Sequence, residues 1–147
     1  MIFCGIPASG KTSFYRERFF ATHVRINLDM LRTRRRESLL LEACLKAQQR
    51  FVVDNTNLTR EDRARYIVPA LAAGFRVVGY FFAADPKEAF ARNRRRPGVA
   101  AVPAGGLFGA QKRLRRPALD EGFTELFTVT LLAGGGFEVT SGVLPPP

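Results

Sequence analysis

Short apolar runs alternate along the chain with segments whose apolar positions fall at helical spacing. The first run, Met1–Cys4, leads into a glycine-rich loop, and a helix is predicted from about Gly10 to Ala21, with Phe14, Tyr15 and Phe19 on its inward face. The second run is His23–Asn27. A short helix from about Met30 and a longer one near Glu37–Gln49 follow it, the latter with Leu40, Leu41, Cys44 and Leu45 at helical spacing. After the third run, Phe51–Asp54, Thr59 reads as the N-cap of a helix that is kinked at Pro69 and closed by Gly74. The fourth run, Arg76–Phe82, is continuously apolar, as in a strand covered on both faces. Asp85-Pro86 supplies a cap and an N1 proline for a helix to about Arg96. A loop at Pro97–Gly106, a helix at about Leu107–Arg116 and a fifth run at Thr124–Thr130 complete the pattern. The tail, 131–147, is rich in glycine and proline, with room for one more short strand at Phe137–Val139. Strands alternating with helices are the signature of βαβ units around a parallel sheet, so the predicted class is α/β.

Composition adds bounds to this picture. The 147 residues suit a single domain spanning 1–147, with a core large enough to need no disulfide or metal staple. Cys4 and Cys44 both lie in apolar contexts and read as buried core residues. The longest apolar run, Val77–Ala84, is far short of the roughly 18–20 residues that span a bilayer. The start at Met1 shows no basic leader, and the expectation is a mature, cytoplasmic protein without a membrane partner. The net charge of +10, carried mostly by arginine, raises the question of a polyanionic partner, which only the placement of those arginines can answer.

The first chemistry-bearing motif is Gly5-Ile6-Pro7-Ala8-Ser9-Gly10-Lys11-Thr12. Glycines at this spacing let the backbone wrap phosphate oxygens with its N–H groups, and the helix that follows presents its positive end to the same anion. Lys11 is placed to reach the β- and γ-phosphates, and the Thr12 hydroxyl to ligate Mg²⁺. The motif follows an apolar run and opens a helix, which is the context a phosphate loop requires.

In an open α/β sheet, ligands bind beyond the carboxyl ends of the strands. Here the second run ends in Asn27-Leu28-Asp29 and the third in Asp54-Asn55-Thr56-Asn57, at the same edge as the phosphate loop. Asp29 and Arg32 are three residues apart at a helix start and are expected to share a face. A carboxylate there can accept the proton of an attacking hydroxyl, and a guanidinium beside it can hold a phosphate of the acceptor. Asp54 follows Phe51-Val52-Val53 as the acid of a Walker B strand does, and is a candidate Mg²⁺ ligand. Arg92, Asn93, Arg94, Arg95 and Arg96 end a helix, with Arg92 and Arg96 expected on one face, as in a mobile lid that brings cations to a transferring phosphate.

Taken in this order, these stretches, with Val102-Pro103 and Pro117 through Glu121-Gly122-Phe123, resemble the polynucleotide 5′-kinases, including the kinase module of polynucleotide kinase–phosphatases. The likeness covers roughly residues 1–130. It implies a P-loop kinase-type three-layer fold with five parallel strands in the order 2-3-1-4-5 and a helical lid at about 86–116. It implies transfer of the γ-phosphate of ATP, or another NTP, to the 5′-OH end of RNA or DNA with Mg²⁺. In that reading Lys11, Asp29 (as general base) and Arg96 are catalytic. Gly5, Ala8, Ser9, Gly10, Lys11, Thr12 and Ser13 hold the nucleotide together with Arg92, Asn93 and Arg96. The acceptor is met by Asp29, Arg32, Asn55, Thr56 and Asn57. Thr12 and Asp54 hold the metal, the metal-side role being open between Asp54 and Asn55. Separate end-healing or ligase enzymes are the expected partners. The phosphate loop and lid serve equally well a kinase of a small metabolite or nucleoside, or a regulatory ATPase.

Overall fold

The computed structural model describes residues 1–96 and 101–146. Its strands are β1 (Ile2–Cys4), β2 (Val24–Ile26), β3 (Phe51–Val53), β4 (Val78–Phe82), β5 (Glu125–Leu131) and β6 (Phe137–Ser141). Its helices are α1 (Lys11–Arg18), α2 (Leu28–Leu31), α3 (Arg34–Lys46), α4 (Arg60–Ala72), α5 (Pro86–Arg94) and α6 (Ala104–Arg113), and a 3-10 turn covers Leu119–Glu121. The sheet order is β2-β3-β1-β4-β5-β6, parallel throughout except for β6, which runs antiparallel to β5. The expected α/β class and the order of the first five strands are therefore present, with six strands rather than five.

The sixth strand follows from the glycine-rich turn. Gly135 and Gly136 take φ of 88° and 84°, which a residue with a side chain rarely adopts, and they return the chain along the edge of β5. Phe137 then packs on Phe14 of α1 with ring centroids 5.1 Å apart. The pairing protects an edge that β5 would otherwise present to solvent.

Residues of the central strands β1, β3 and β4 are covered on both faces, as in parallel sheets, whereas the edge strand β6 is mostly exposed. Ile2, Val53 and Ile26 point into one cluster with Leu41, Cys44, Tyr66, Ile67 and Ala70 from α3 and α4. Phe3, Val52 and Phe82 point the other way, against Phe14, Tyr15 and Phe19. Cys4 and Cys44 are free and buried, as expected. Among the described residues, no helix is long and apolar enough to cross a membrane.

Local signals place most helix ends. Thr59 Oγ1 accepts from Asp62 N and Asp62 Oδ2 accepts from Thr59 N, a full capping box, and Gly74 takes φ of 84° just beyond α4. Asp85 caps α5 with Pro86 at its first position. The lid departs from expectation. Its helix begins at Ala104 rather than Leu107, despite Gly105 and Gly106, because Leu107, Ala110 and Leu114 bury one stripe against Ile6, Leu58 and Ala89. Burial here outweighs the roughly 1 kcal/mol that each helical glycine costs. Of the loop expected at Pro97–Gly106, residues 97–100 lie outside the described residues, as does 147 at the end of the tail. Asn93 exchanges two hydrogen bonds with the backbone of Val102, so the described part of that loop is anchored, not free of core contacts.

Candidate active site

The phosphate loop joins β1 to α1. Gly5 lies against β4, where an added Cβ would stand 3.0 Å from both Phe82 Cβ and Ser9 Oγ. Ala8 and Gly10 take φ of 62° and 97°, the turns that curl the loop over the start of α1. The first-turn amides of α1 have no helical carbonyl ahead of them and face the loop, the arrangement that binds anions. Ser13 is exposed on the first turn.

Lys11 is buried. Its ammonium donates to Gly5 O at 3.0 Å, Ile6 O at 2.7 Å and Ser9 Oγ at 3.2 Å. Burial pulls its pKa down to about 8; the Asp54 and Cys4 charges oppose this, and Arg96 adds to it. Arg96 is thus close enough for its charge to act on Lys11, although α5 stops at Arg94 and Arg96 lies beyond the helix. The shared helical face expected for Arg92 and Arg96 is accordingly lost at the Arg96 end. Arg92 Nε donates to Ala8 O at 2.7 Å, so the lid helix rests on the phosphate loop. Asn93 is buried and bonded to Val102, which makes it a pin for the lid in place of the nucleotide contact expected.

Thr12 Oγ1 donates to Asp54 Oδ2 at 3.0 Å, which joins the two expected metal ligands into one pair. Asp54, not Asn55, therefore faces the loop. Asn55 turns the other way: its Oδ1 accepts from Leu28 N at 2.9 Å, and its amide donates to Glu37 Oε2 and Tyr66 Oη at 3.1 and 3.2 Å. Thr56 O receives Gly5 N at 2.9 Å, and the buried Asn57 donates to Phe3 O at 2.8 Å from a left-handed backbone, φ 46°. Asn55, Thr56 and Asn57 were expected to touch the acceptor; in the structure the Asn55 side chain, Asn57 Nδ2 and the Thr56 carbonyl make internal bonds that brace the segment after β3 against β1 and α2, and the half-buried Thr56 hydroxyl is not among those bonds.

Asn27, which lies in the Asn27-Leu28-Asp29 stretch but was given no role of its own, does two jobs at once. Its Oδ1 caps α2 by accepting from Met30 N, and its Nδ2 donates to Asp54 O. The short helix carrying Asp29 is thereby tied to the metal-side strand. Asp29 is exposed, and its carboxylate makes no hydrogen bond or ion pair among the described residues. Arg32 is also exposed, but it is the C-cap of α2 with φ 74°, so it does not share a helical face with Asp29.

Three further residues escaped the motifs. Arg25 of β2 donates from Nε to Asp54 Oδ2 at 2.8 Å and from Nη2 to Thr12 Oγ1 at 3.2 Å. Its signal in sequence is a charge between two inward apolar residues, Val24 and Ile26. Glu37 is buried, linked to Arg34 at 2.7 Å and Tyr66 at 3.0 Å, and holds Asn55 in place. Arg63 has no exposed side-chain surface; it pairs with Glu121 at 2.7 and 3.0 Å and donates to the carbonyls of Asn57, Leu58 and Arg115. It sits on the apolar stripe of α4 with Tyr66, Ile67 and Ala70, where a charge demands a buried partner.

The site suits a nucleotide with Mg²⁺. Among the described residues no cluster of three or more His, Cys, Asp or Glu offers a dedicated metal cage. A hydroxyl and one carboxylate at the mouth of a phosphate loop match the way Mg²⁺ is held, by few protein oxygens with phosphates and waters completing its shell.

Comparison with known proteins bears on the fold. A gluconokinase from Sinorhizobium meliloti 1021 superposes with a TM-score of 0.60 at 18% identity, over 88% of this chain and 80% of that one. Chaetomium thermophilum Kti12, solved with ADP-AlF3, gives 0.65 at 16% identity, over 88% and 87%. A structure from the PezAT chromosomal toxin–antitoxin system of Streptococcus pneumoniae gives 0.60 at 14% identity, over 92% and 68%. These likenesses establish a P-loop kinase-type fold. The profile of one family, described as AAA domain, matches residues 1–117, so the chain belongs to that AAA-domain family of nucleotide-binding, P-loop kinase-like proteins.

Proposed function

We propose that the chain is a 5′-hydroxyl polynucleotide kinase that transfers the γ-phosphate of ATP to the 5′-OH end of RNA or DNA. The observation that carries the reading is the placement of Asp29. It is an open carboxylate on a helix that Asn27 and Asn55 fasten to the strand edge bearing Asp54. In the proposed reaction Asp29 takes the proton of the 5′-OH as that oxygen bonds to the γ-phosphorus, and the bond from phosphorus to the β,γ-bridging oxygen breaks to release ADP. Lys11 holds the β- and γ-phosphates, and Arg92 and Arg96 approach them from the lid. A cation held by Thr12 and Asp54 supplies charge neutralisation when bound. Arg32, exposed on the turn that ends the same short helix, is the proposed contact for the phosphate next to the attacking hydroxyl, which favours an acceptor that carries one.

The reaction fits a cytoplasmic setting in which both cysteines remain free, and its 5′-phosphate product is what a separate ligase-class enzyme consumes. Gluconokinase, as a kinase by name, keeps a metabolite acceptor as the second reading. The test is transfer of labelled γ-phosphate from ATP to matched 5′-OH RNA and DNA oligonucleotides with pure protein and Mg²⁺. Label on an oligonucleotide is the expected result. ADP formed with a sugar or nucleoside, and none with oligonucleotides, would select the metabolite kinase. ADP formed with no labelled acceptor would select the regulatory ATPase.

A further inference from the structure

Arg25 occupies a position that the phosphate-loop chemistry does not call for. It lies in β2, an edge strand whose Val24 and Ile26 contribute to the core cluster beneath α3 and α4. Strand alternation turns Arg25 to the opposite face, toward α1, and its guanidinium reaches the carboxyl edge of the sheet. There it closes a triangle. Nε is 2.8 Å from Asp54 Oδ2, Nη2 is 3.2 Å from Thr12 Oγ1, and Thr12 Oγ1 is 3.0 Å from the same Oδ2. Asp54 is 2% exposed, and Arg25 is its ion-pair partner.

The oxygens that would face a divalent cation are thus the ones Arg25 engages. Mg²⁺ demands near-octahedral oxygens at about 2.0–2.1 Å, each turning a lone pair to the metal. A guanidinium on Oδ2 and Oγ1 uses those lone pairs, and its charge repels a dication brought alongside. Removing a positive partner from a buried carboxylate is also costly, so Asp54 needs one cation or the other. The Arg25 side chain is 24% exposed, which leaves it a route outward.

We propose that Arg25 is a built-in cationic occupant of the metal position: it neutralises Asp54 and orders Thr12 while the site is metal-free, and a divalent cation enters only by displacing it. The inference rests on the reading of Thr12 and Asp54 as the metal pair. Its consequence is that metal affinity is set below what Thr12 and Asp54 would give alone, and that Arg25 exchanges metal affinity for order in the metal-free protein.

The probe is Mn²⁺, titrated into the full chain carrying one equivalent of ADP and followed by the EPR signal of the free ion. Arg25→Gln should tighten Mn²⁺ binding about tenfold, a change worth about 1.4 kcal/mol. Arg25→Lys, which keeps the charge and loses the two-pronged contact, should fall between Gln and the parent. Melts in EDTA should show Arg25→Gln less stable than the parent, with a larger rise on adding Mn²⁺. Mn²⁺ affinity that is unchanged or weaker in Arg25→Gln overturns the proposal. If that variant does not fold, Arg25→Lys decides by the same criterion. Asp54→Asn separates the two levels of argument. If it binds Mn²⁺ like the parent, the metal-pair reading falls and takes this inference with it. If it loses Mn²⁺ while Arg25→Gln gains nothing, the inference alone falls.

Discussion

On the donor side of the strand edge, Lys11 is buried and held by three oxygens, Asp54 is paired twice, and Arg92 rests on the loop. On the proposed acceptor side, Asp29 and Arg32 stand exposed on a four-residue helix and the turn that ends it. The donor site is assembled from groups that already satisfy one another, so a nucleotide enters by replacing internal contacts. The proposed acceptor site is held through its backbone and caps, leaving the Asp29 and Arg32 side chains exposed. Substitutions should therefore separate cleanly: donor-side changes disturb fold and binding together, whereas acceptor-side changes disturb chemistry alone.

The largest effect tests the acceptor side. Asp29→Asn should lower transfer to a 5′-OH end by about 10²–10⁴-fold, the usual worth of a positioned general base. ATP affinity by calorimetry and Tm should stay at parent values, because the exposed Asp29 carboxylate makes no hydrogen bond or ion pair among the described residues. A variant that keeps most of its activity would remove Asp29 as the base. One that loses stability would erase the contrast between the two sides.

Arg63 tests the donor-side frame. Its bidentate pair with Glu121 and its bonds to Asn57, Leu58 and Arg115 carbonyls tie the segment after β3 to the chain leaving the lid. Arg63→Met leaves the Glu121 carboxylate, itself 4% exposed, with Ala118 N at 2.8 Å and a longer approach from Arg60 at 3.8 Å, and should cost about 3 kcal/mol or more, up to about 5. In a domain of this size that is a fall of roughly 10–15 °C in Tm, read by thermal melt. The double variant Arg63→Met, Glu121→Leu should recover a good part of the loss, since no charge is then left buried alone.

Arg63 also marks where sequence was not readable. The phosphate loop carries its meaning in local spacing, as do the Thr59 capping box and the Asp85-Pro86 start of α5. Arg63 and Arg25 do not, because their partners lie far along the chain, Glu121 58 residues from Arg63 and Asp54 29 from Arg25. Asn57 looked like a polar residue at a binding edge. Its bond to Phe3 O, 54 residues away, shows that an asparagine there can equally well lock two strands together. Arg32 misled differently: spacing three from Asp29 implied a shared face, but the helix closes at Leu31 and the backbone turns left-handed. The sixth strand was half legible, since the glycine turn was visible but the aromatic contact of Phe137 with α1 was not.

The smallest effect concerns Lys11 and pH. In the nucleotide-free fold its ammonium is depressed to about 8 from an ordinary 10.5, chiefly by burial. Polyphosphate favours the charged form, so nucleotide binding raises that pKa and draws in a proton wherever the free protein has released it. ADP affinity should therefore be nearly flat from pH 7 to about 7.5 and fall above about 8, approaching tenfold per pH unit. Calorimetry in two buffers of different ionisation heat should register the matching proton uptake. Lys11→Met should bind more weakly yet lose this slope. Stability carries the opposite sign. Between about pH 8 and 10.5 the unfolded chain keeps a proton that the folded chain has given up, so the nucleotide-free protein gains stability relative to Lys11→Met as pH rises through that window. Affinity that stays level from pH 7 to 9.5 would mean that the buried ammonium is not what receives the phosphates, and the donor side would lose its central contact.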